Sequence, residues 1–114
     1  MKSEDRLQQD CYIWFHNTYP KLRGLLFHVP NGGNRGGREG RKFKGMGVFP
    51  GVADLLFIYQ GEIMAIELKT KTGTQSKLQK YWETLVKSHG VYYYIVRDFE
   101  EFKSLITLII KIPA

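Results

Sequence analysis

Apolar residues recur along this chain with two different periods, and the switches between them divide it into elements. From Glu4 the spacing is helical, with Leu7, Cys11, Trp14 and Phe15 on one stripe. Ser3 stands where a cap belongs, and Glu4 and Asp5 fill the first turn, where the positive end of the helix dipole favours acids. Pro20 prevents continuation. Residues 25–29 predict a strand stopped by Pro30. Two runs rich in β-formers, 55–59 and 63–68, flank Gln60-Gly61 and predict a hairpin. After a turn with Thr74 as candidate cap, helical spacing returns over 75–89, with Leu78, Trp82, Leu85 and Val86 as its core stripe and Gly90 as its stop. Residues 91–96, V-Y-Y-Y-I-V, predict a strand, and Asp98 with Glu101 match a capping box that opens a last helix through about Ile110. The order is helix, strand, hairpin, helix, strand, helix.

The hairpin's open end carries the first candidate chemistry. With Gln60 and Gly61 as the two central turn residues, Asp54 lies directly opposite Glu67, and their Cβ atoms are about 4.5–5.5 Å apart. A bulge at Gly61 would shift that pairing by one residue. The shared face continues through Leu56, Ile58, Ile63 and Ala65, and Lys69, two residues after Glu67, projects from it too. Opposed like charges destabilise a sheet unless a counter-charge joins them. Mg²⁺ suits such a pair, since it binds through one or two carboxylates and keeps waters and substrate phosphate. Lys69 would then orient or deprotonate a metal-associated water. The competing reading is a strand-end salt bridge in which Lys69 merely neutralises Glu67.

Charge sharpens the picture. The 114 residues predict one domain, 1–114, and 43% hydrophobic content is globular. A net charge of +6 points to an anionic partner, nucleic acid or an acidic surface. The lone Cys11 excludes an internal disulfide and fits a reducing compartment. The charged N-terminus reads as no signal peptide, and no apolar run is long enough to span a membrane. Residues 31–42 hold five glycines and four basic residues without the G-K-[ST] of a phosphate-binding loop. They read either as a basic loop contacting phosphates through Arg35, Arg38, Arg41, Lys42 and nearby Lys44, or as a solvated linker. A short helix over 39–46 is a further expectation. Glu4 extends the apolar stripe of the first helix, as an acid on its buried side or as a simple first-turn acid. Gln75 and Gln79, one turn apart on the predicted helix, fall near the acids or are plain surface residues. The last helix carries two stripes: Leu105, Leu108, Ile109 and Ile112, and beside it Ile106 and Ile110. The second stripe predicts either deep burial or a homodimer interface at Ile106 and Ile110.

Asp54 followed by Glu67-Leu68-Lys69 resembles the D…(D/E)-X-K signature of the PD-(D/E)XK nuclease superfamily. P-G-V-A-D-L-L-F, A-I-E-L-K, G-T-Q-S-K-L-Q-K-Y-W-E-T-L and H-G-V-Y-Y-Y-I-V, in that order, resemble the VRR-NUC (virus-type replication-repair nuclease) domain over almost the whole chain. The Asn31-Gly32-Gly33 turn and an early glutamate also match, while Ala53 stands where a proline is usual. The resemblance implies a restriction-endonuclease-like α/β core, α-β-β-β-α-β around a mixed four-stranded sheet. It implies Mg²⁺ or Mn²⁺ on Asp54, Glu67 and the Leu68 carbonyl, with Glu4 acting through water. Lys69 would be the catalytic lysine, and Gln79 would order Lys69 or the substrate. DNA contacts would come from Asn31, Arg35, Arg38, Arg41, Lys42, Lys44 and Lys71. The implied reaction is in-line hydrolysis of DNA phosphodiesters, leaving 5′-phosphate and 3′-hydroxyl ends. The implied enzyme is a homodimer on branched DNA such as four-way (Holliday) junctions or flaps, in the cytoplasm of a bacterial or phage-infected cell. The competing class is a non-catalytic basic module that binds nucleic acid.

Overall fold

Two consecutive residues with positive φ, Gln60 (50°) and Gly61 (79°), set the geometry of the sheet. That pair makes a two-residue turn whose twist matches the strands it joins. In the computed structural model, which describes residues 3–30 and 45–111, it connects β2 (Leu55–Tyr59) to β3 (Glu62–Leu68). The register runs Ile58↔Ile63, Leu56↔Ala65 and Leu55↔Ile66 with no bulge. Asp54 and Glu67 are therefore the next opposed pair, as the sequence predicts. β1 (Leu26–His28) adds antiparallel to β2, and β4 (Tyr92–Val96) adds parallel to β3, giving a mixed sheet in the order β1-β2-β3-β4.

Alternation along β2 and β3 sends Leu55, Phe57, Met64, Ile66 and Leu68 to one face. α1 (Glu4–Thr18) and α3 (Phe99–Lys111) cover that face. Ser3 caps α1, its Oγ accepting from the Arg6 N–H at 3.1 Å, and Leu7, Cys11 and Phe15 are buried as the stripe predicts. A short 3-10 turn (Pro20–Leu22) follows α1. Trp14 packs edge-on against Phe99 and Phe102 and so joins the two helices. Asp98 accepts from the Glu101 N–H at 2.8 Å, and Glu101 reaches back to the Arg97 N–H at 2.8 Å. The predicted capping pair is thus reciprocal, displaced by one residue.

The second face carries Ala65, Glu67 and Tyr93, and α2 (Lys77–Lys87) packs there against β4. This helix starts later than predicted. Its cap is Ser76, not Thr74, and Gln75 lies outside it, so Gln75 and Gln79 do not share a helical face. Leu78 and Leu85 of the predicted core stripe stay 54% and 40% exposed. The reason is position: α2 lies against the edge strand and covers only part of the sheet. Gly51 fixes where it begins. With φ at +86°, a Cβ there would sit 2.6 Å from the Leu78 carbonyl carbon, so only glycine lets the chain before Asp54 lie against the first turn of α2.

The last helix decides between burial and an interface for Ile106. Ile106 is 0% exposed and belongs to the core with Phe102, while Leu108 is 61% exposed. The supposed second stripe is the one that docks the helix between α1 and the sheet, so Ile106 is in no interface. Most of the short helix expected over 39–46, and all of the basic loop, lie outside the described residues. Ile106→Ala should cost ~3 kcal/mol in urea denaturation, whereas Leu108→Ala should stay within about 0.5 kcal/mol of wild type. Equal effects would contradict the packing described.

Candidate metal centre

Asp54 is held from both neighbouring strands. Its backbone carbonyl accepts from the Val29 N–H at 3.0 Å and from His28 Nδ1 at 2.7 Å. A carbonyl only accepts, so Nδ1 carries the imidazole proton. On the other side, Asp54 Oδ2 accepts from the Leu68 N–H at 2.7 Å. That bond ties the first carboxylate to the backbone between Glu67 and Lys69.

Glu67 is 0% exposed. Its Oε1 accepts a 2.7 Å hydrogen bond from the Tyr93 hydroxyl, while Oε2 is buried with no hydrogen-bond partner. Lys69 follows on β3, its N–H donating to the Val96 carbonyl at 3.0 Å and its side chain only 8% exposed. The loop after it folds over the aliphatic stem, since a Cβ on Gly73 would stand 3.6 Å from the Lys69 Cδ. Arg97 holds that loop, with Nη1 donating to the Thr70 carbonyl at 2.8 Å and the Gly73 carbonyl at 2.7 Å. The Lys69 stem and backbone are thus fixed by packing and by a sheet hydrogen bond.

Both carboxyls hold protons more tightly than ordinary ones. Burial raises Asp54, the charge of Glu4 adds to this, and the Leu68 N–H, His28 and Lys69 oppose it. Burial likewise raises Glu67 and repulsion from Asp54 adds to it, against the Tyr93 hydrogen bond, the Lys69 charge and the Gln75 amide. Lys69 therefore acts on both acids, and neither is fully compensated.

The expected residues fall in different places. Asp54, Glu67 and Lys69 come together. Glu4 is exposed rather than on the buried stripe of α1, but its charge reaches Asp54, which puts it at the rim of the site. Gln79 is engaged in the helix cap, its Oε1 accepting from the Ser76 N–H at 2.8 Å and its own N–H donating to Ser76 Oγ at 3.1 Å. It is Gln75 that connects to the acids, through Tyr93. Lys71 is exposed and lines a surface cleft with Leu7, Thr70 and Arg97. Asn31, Arg35, Arg38, Arg41, Lys42 and Lys44 lie outside the described residues. Sequence reasoning missed Tyr93, His28 and Arg97. Tyr93 is hidden among three consecutive tyrosines, and only the parallel register that sets it beside Ala65 shows which one faces Glu67.

The donor set fits a divalent cation. Among the described residues no three His, Cys, Asp or Glu side chains converge into a closed cage. Two carboxylates with backbone oxygen and water are the set that Mg²⁺ takes, since it keeps several waters. The orphaned Glu67 Oε2 is a buried anionic oxygen in need of a partner, which a cation would supply.

The mixed four-stranded sheet and flanking helices make an α/β fold whose sheet order is consistent with a restriction-endonuclease-like fold. Two solved structures make it more specific. One, titled "VRR_NUC domain protein", superposes with a TM-score of 0.77 at 24% identity over 97% of this chain and 92% of its own. The other, titled "VRR_NUC domain", gives 0.60 at 21% identity over 91% of this chain and 94% of its own. This chain has the VRR_NUC fold. No family model and no curated protein matches the sequence.

The shifted acids give a stability test. A carboxyl raised by folding keeps its proton in the native state to a higher pH than in the unfolded chain. Stability is then greatest below the ordinary carboxylate range and falls as pH rises through the raised values. Without divalent cations, Glu67→Gln and Asp54→Asn should each raise Tm near pH 7 by ~4 °C, about 1 kcal/mol, and the gain should vanish toward pH 4. A gain that does not depend on pH would contradict this origin.

Proposed function

We propose that the protein is a Mg²⁺- or Mn²⁺-dependent DNA endonuclease. The observation that carries the reading is the opposed pair of half-buried Asp54 and buried Glu67, with one oxygen of Glu67 unpartnered and Lys69 acting on both. Asp54, Glu67 and the Leu68 carbonyl would hold the ion, with Glu4 reaching it through water. A bound divalent ion supplies Lewis acidity toward the scissile phosphate and neutralises the charge that develops there. Lys69 would orient the attacking water as the ammonium, or take up its proton as the free amine. His28 is fixed on the Asp54 carbonyl through Nδ1, beside the first acid. Water attacks phosphorus in line with the leaving 3′ oxygen, so the products carry 5′-phosphate and 3′-hydroxyl ends.

The substrate is DNA, recognised through its phosphates by a chain of net charge +6. A preference for branched duplexes such as four-way junctions or flaps is part of the proposal and rests on the resemblance of the sequence motifs. So does action as a homodimer in the cytoplasm, since a two-fold axis would bring two sites to the two strands of a symmetric junction. Among the described residues no helix is long and apolar enough to cross a membrane.

The test is cleavage of linear, flapped and four-way-junction DNA with Mn²⁺ or Mg²⁺. Lys69→Met keeps the packed stem and removes the amine. Its single-turnover rate should fall by about 10²–10⁴, while DNA affinity stays within a few-fold because one of seventeen Lys and Arg is lost. Full-rate cleavage by this variant would remove Lys69 from the mechanism. Salt-sensitive binding by the wild type, with no cleavage of any substrate, would select the non-catalytic module.

A further inference from the structure

We propose that Tyr93 is a positioning residue that reserves one oxygen of Glu67 for the cation and thereby makes the site favour Mg²⁺ over Ca²⁺. The inference rests on the metal-site reading above and adds to it the origin of the ion preference.

The direction of the hydrogen bonds around Tyr93 follows from chemistry at both ends. Gln75 Nε2 lies 2.9 Å from Glu83 Oε1 and 3.3 Å from the Tyr93 hydroxyl oxygen. A carboxylate only accepts, so the Gln75 amide must turn its NH₂ toward Glu83, and its second proton then faces the phenol. The phenol oxygen accepts from Gln75 and its own proton goes to Glu67 Oε1, 2.7 Å away. Lys87 Nζ lies 3.4 Å from Glu83 Oε2 and steadies the far end of the chain. Trp82 lies against the Tyr93 ring, with centroids 6.1 Å apart. Lys87, Glu83, Gln75 and Tyr93 thus form a directed series that starts on α2 and ends on one oxygen of the buried acid.

The consequence falls on the other oxygen. A short hydrogen bond to an ionised acceptor is among the stronger ones. It holds the carboxylate in one orientation and takes up one lone pair of Oε1, so Oε2 is the oxygen that stays free of hydrogen bonds to meet a cation. Mg²⁺ is content with one oxygen from each carboxylate in a tight octahedron at about 2.0–2.1 Å. Ca²⁺ is larger, takes about six to eight ligands, and gains from a carboxylate that can offer both oxygens. Engaging Oε1 therefore costs Ca²⁺ more than Mg²⁺. A Tyr93 that merely satisfied a buried acid would affect stability without discriminating between the ions.

The test is calorimetric titration of the protein without DNA, using MgCl₂ and CaCl₂, on wild type, Tyr93→Phe and Gln75→Ala. Tyr93→Phe keeps the ring against Trp82 and removes only the hydroxyl. Its Mg²⁺ affinity should fall about tenfold, the lower end of what is lost when a group that orients a metal ligand is removed. Its Ca²⁺ affinity should fall less or rise, so that the preference for Mg²⁺ shrinks several-fold. Gln75→Ala should shift the preference in the same direction by a smaller factor, because the phenol then loses the donor that aims it. A folded Tyr93→Phe whose two affinities are unchanged, or fall by one common factor, overturns the proposal. Should Tyr93→Phe not fold, an unchanged preference in Gln75→Ala overturns it instead. A wild type that binds neither ion brings down the metal site itself, and the proposal with it.

Discussion

Withdrawing a carboxylate from water is costly unless something pairs with it, and Glu67 is withdrawn completely, across one strand from Asp54. The surrounding structure reduces that cost without removing it. Tyr93 takes one oxygen of Glu67, the Leu68 N–H takes one of Asp54, and Lys69 attracts both. Each of these partners is itself fixed by the sheet. Leu68 and Lys69 belong to the same run as Glu67, and Tyr93 arrives by the parallel pairing of β4.

The backbone devices all serve that one end of the hairpin. The Gln60-Gly61 turn sets which residues oppose each other there, from the far end of the strands. Gly51 lets the approach to Asp54 pass against α2, and Arg97 closes the loop beyond Lys69 over the lysine stem. A close backbone approach that only glycine permits and a buried acid short of partners meet within a few residues of Asp54 and Glu67. Breaches of local rules that converge in this way mark a functional site better than any one of them does.

How much of this was legible in the sequence depended on whether the signal was local. The hairpin register was legible, because a two-residue turn and a period of two leave little freedom, and with it came Asp54, Glu67 and Lys69. The caps at Ser3 and Asp98 were legible for the same reason. The start of α2 was not, since Thr74 and Ser76 both qualify and only the reciprocal bond between Ser76 and Gln79 decides. Ile106 stayed open between burial and an interface because two adjacent apolar stripes do not say which one faces the sheet. Tyr93 was out of reach because its role depends on β3 and β4 being parallel and in one register, a long-range fact. Gln79 shows the converse: its place three residues after a serine is itself the sequence signature of the cap it forms.

The alternative of a purely binding module must account for the same two acids. A domain that only grips a polyanion gains nothing from carboxylates set into its sheet, since they repel the ligand and each other. Replacing a buried ionic cluster by apolar residues of similar volume is often neutral or stabilising by about 1–4 kcal/mol, so folding alone does not call for Glu67. Ala65, on the same face of the same strand, is equally buried and needs no partner. An acid two residues further on, held by a tyrosine hydroxyl at one oxygen and by nothing at the other, is a costly way to fill that position. On the proposed reading a cation would recover that cost, because the unpartnered oxygen and the repulsion from Asp54 both favour its binding.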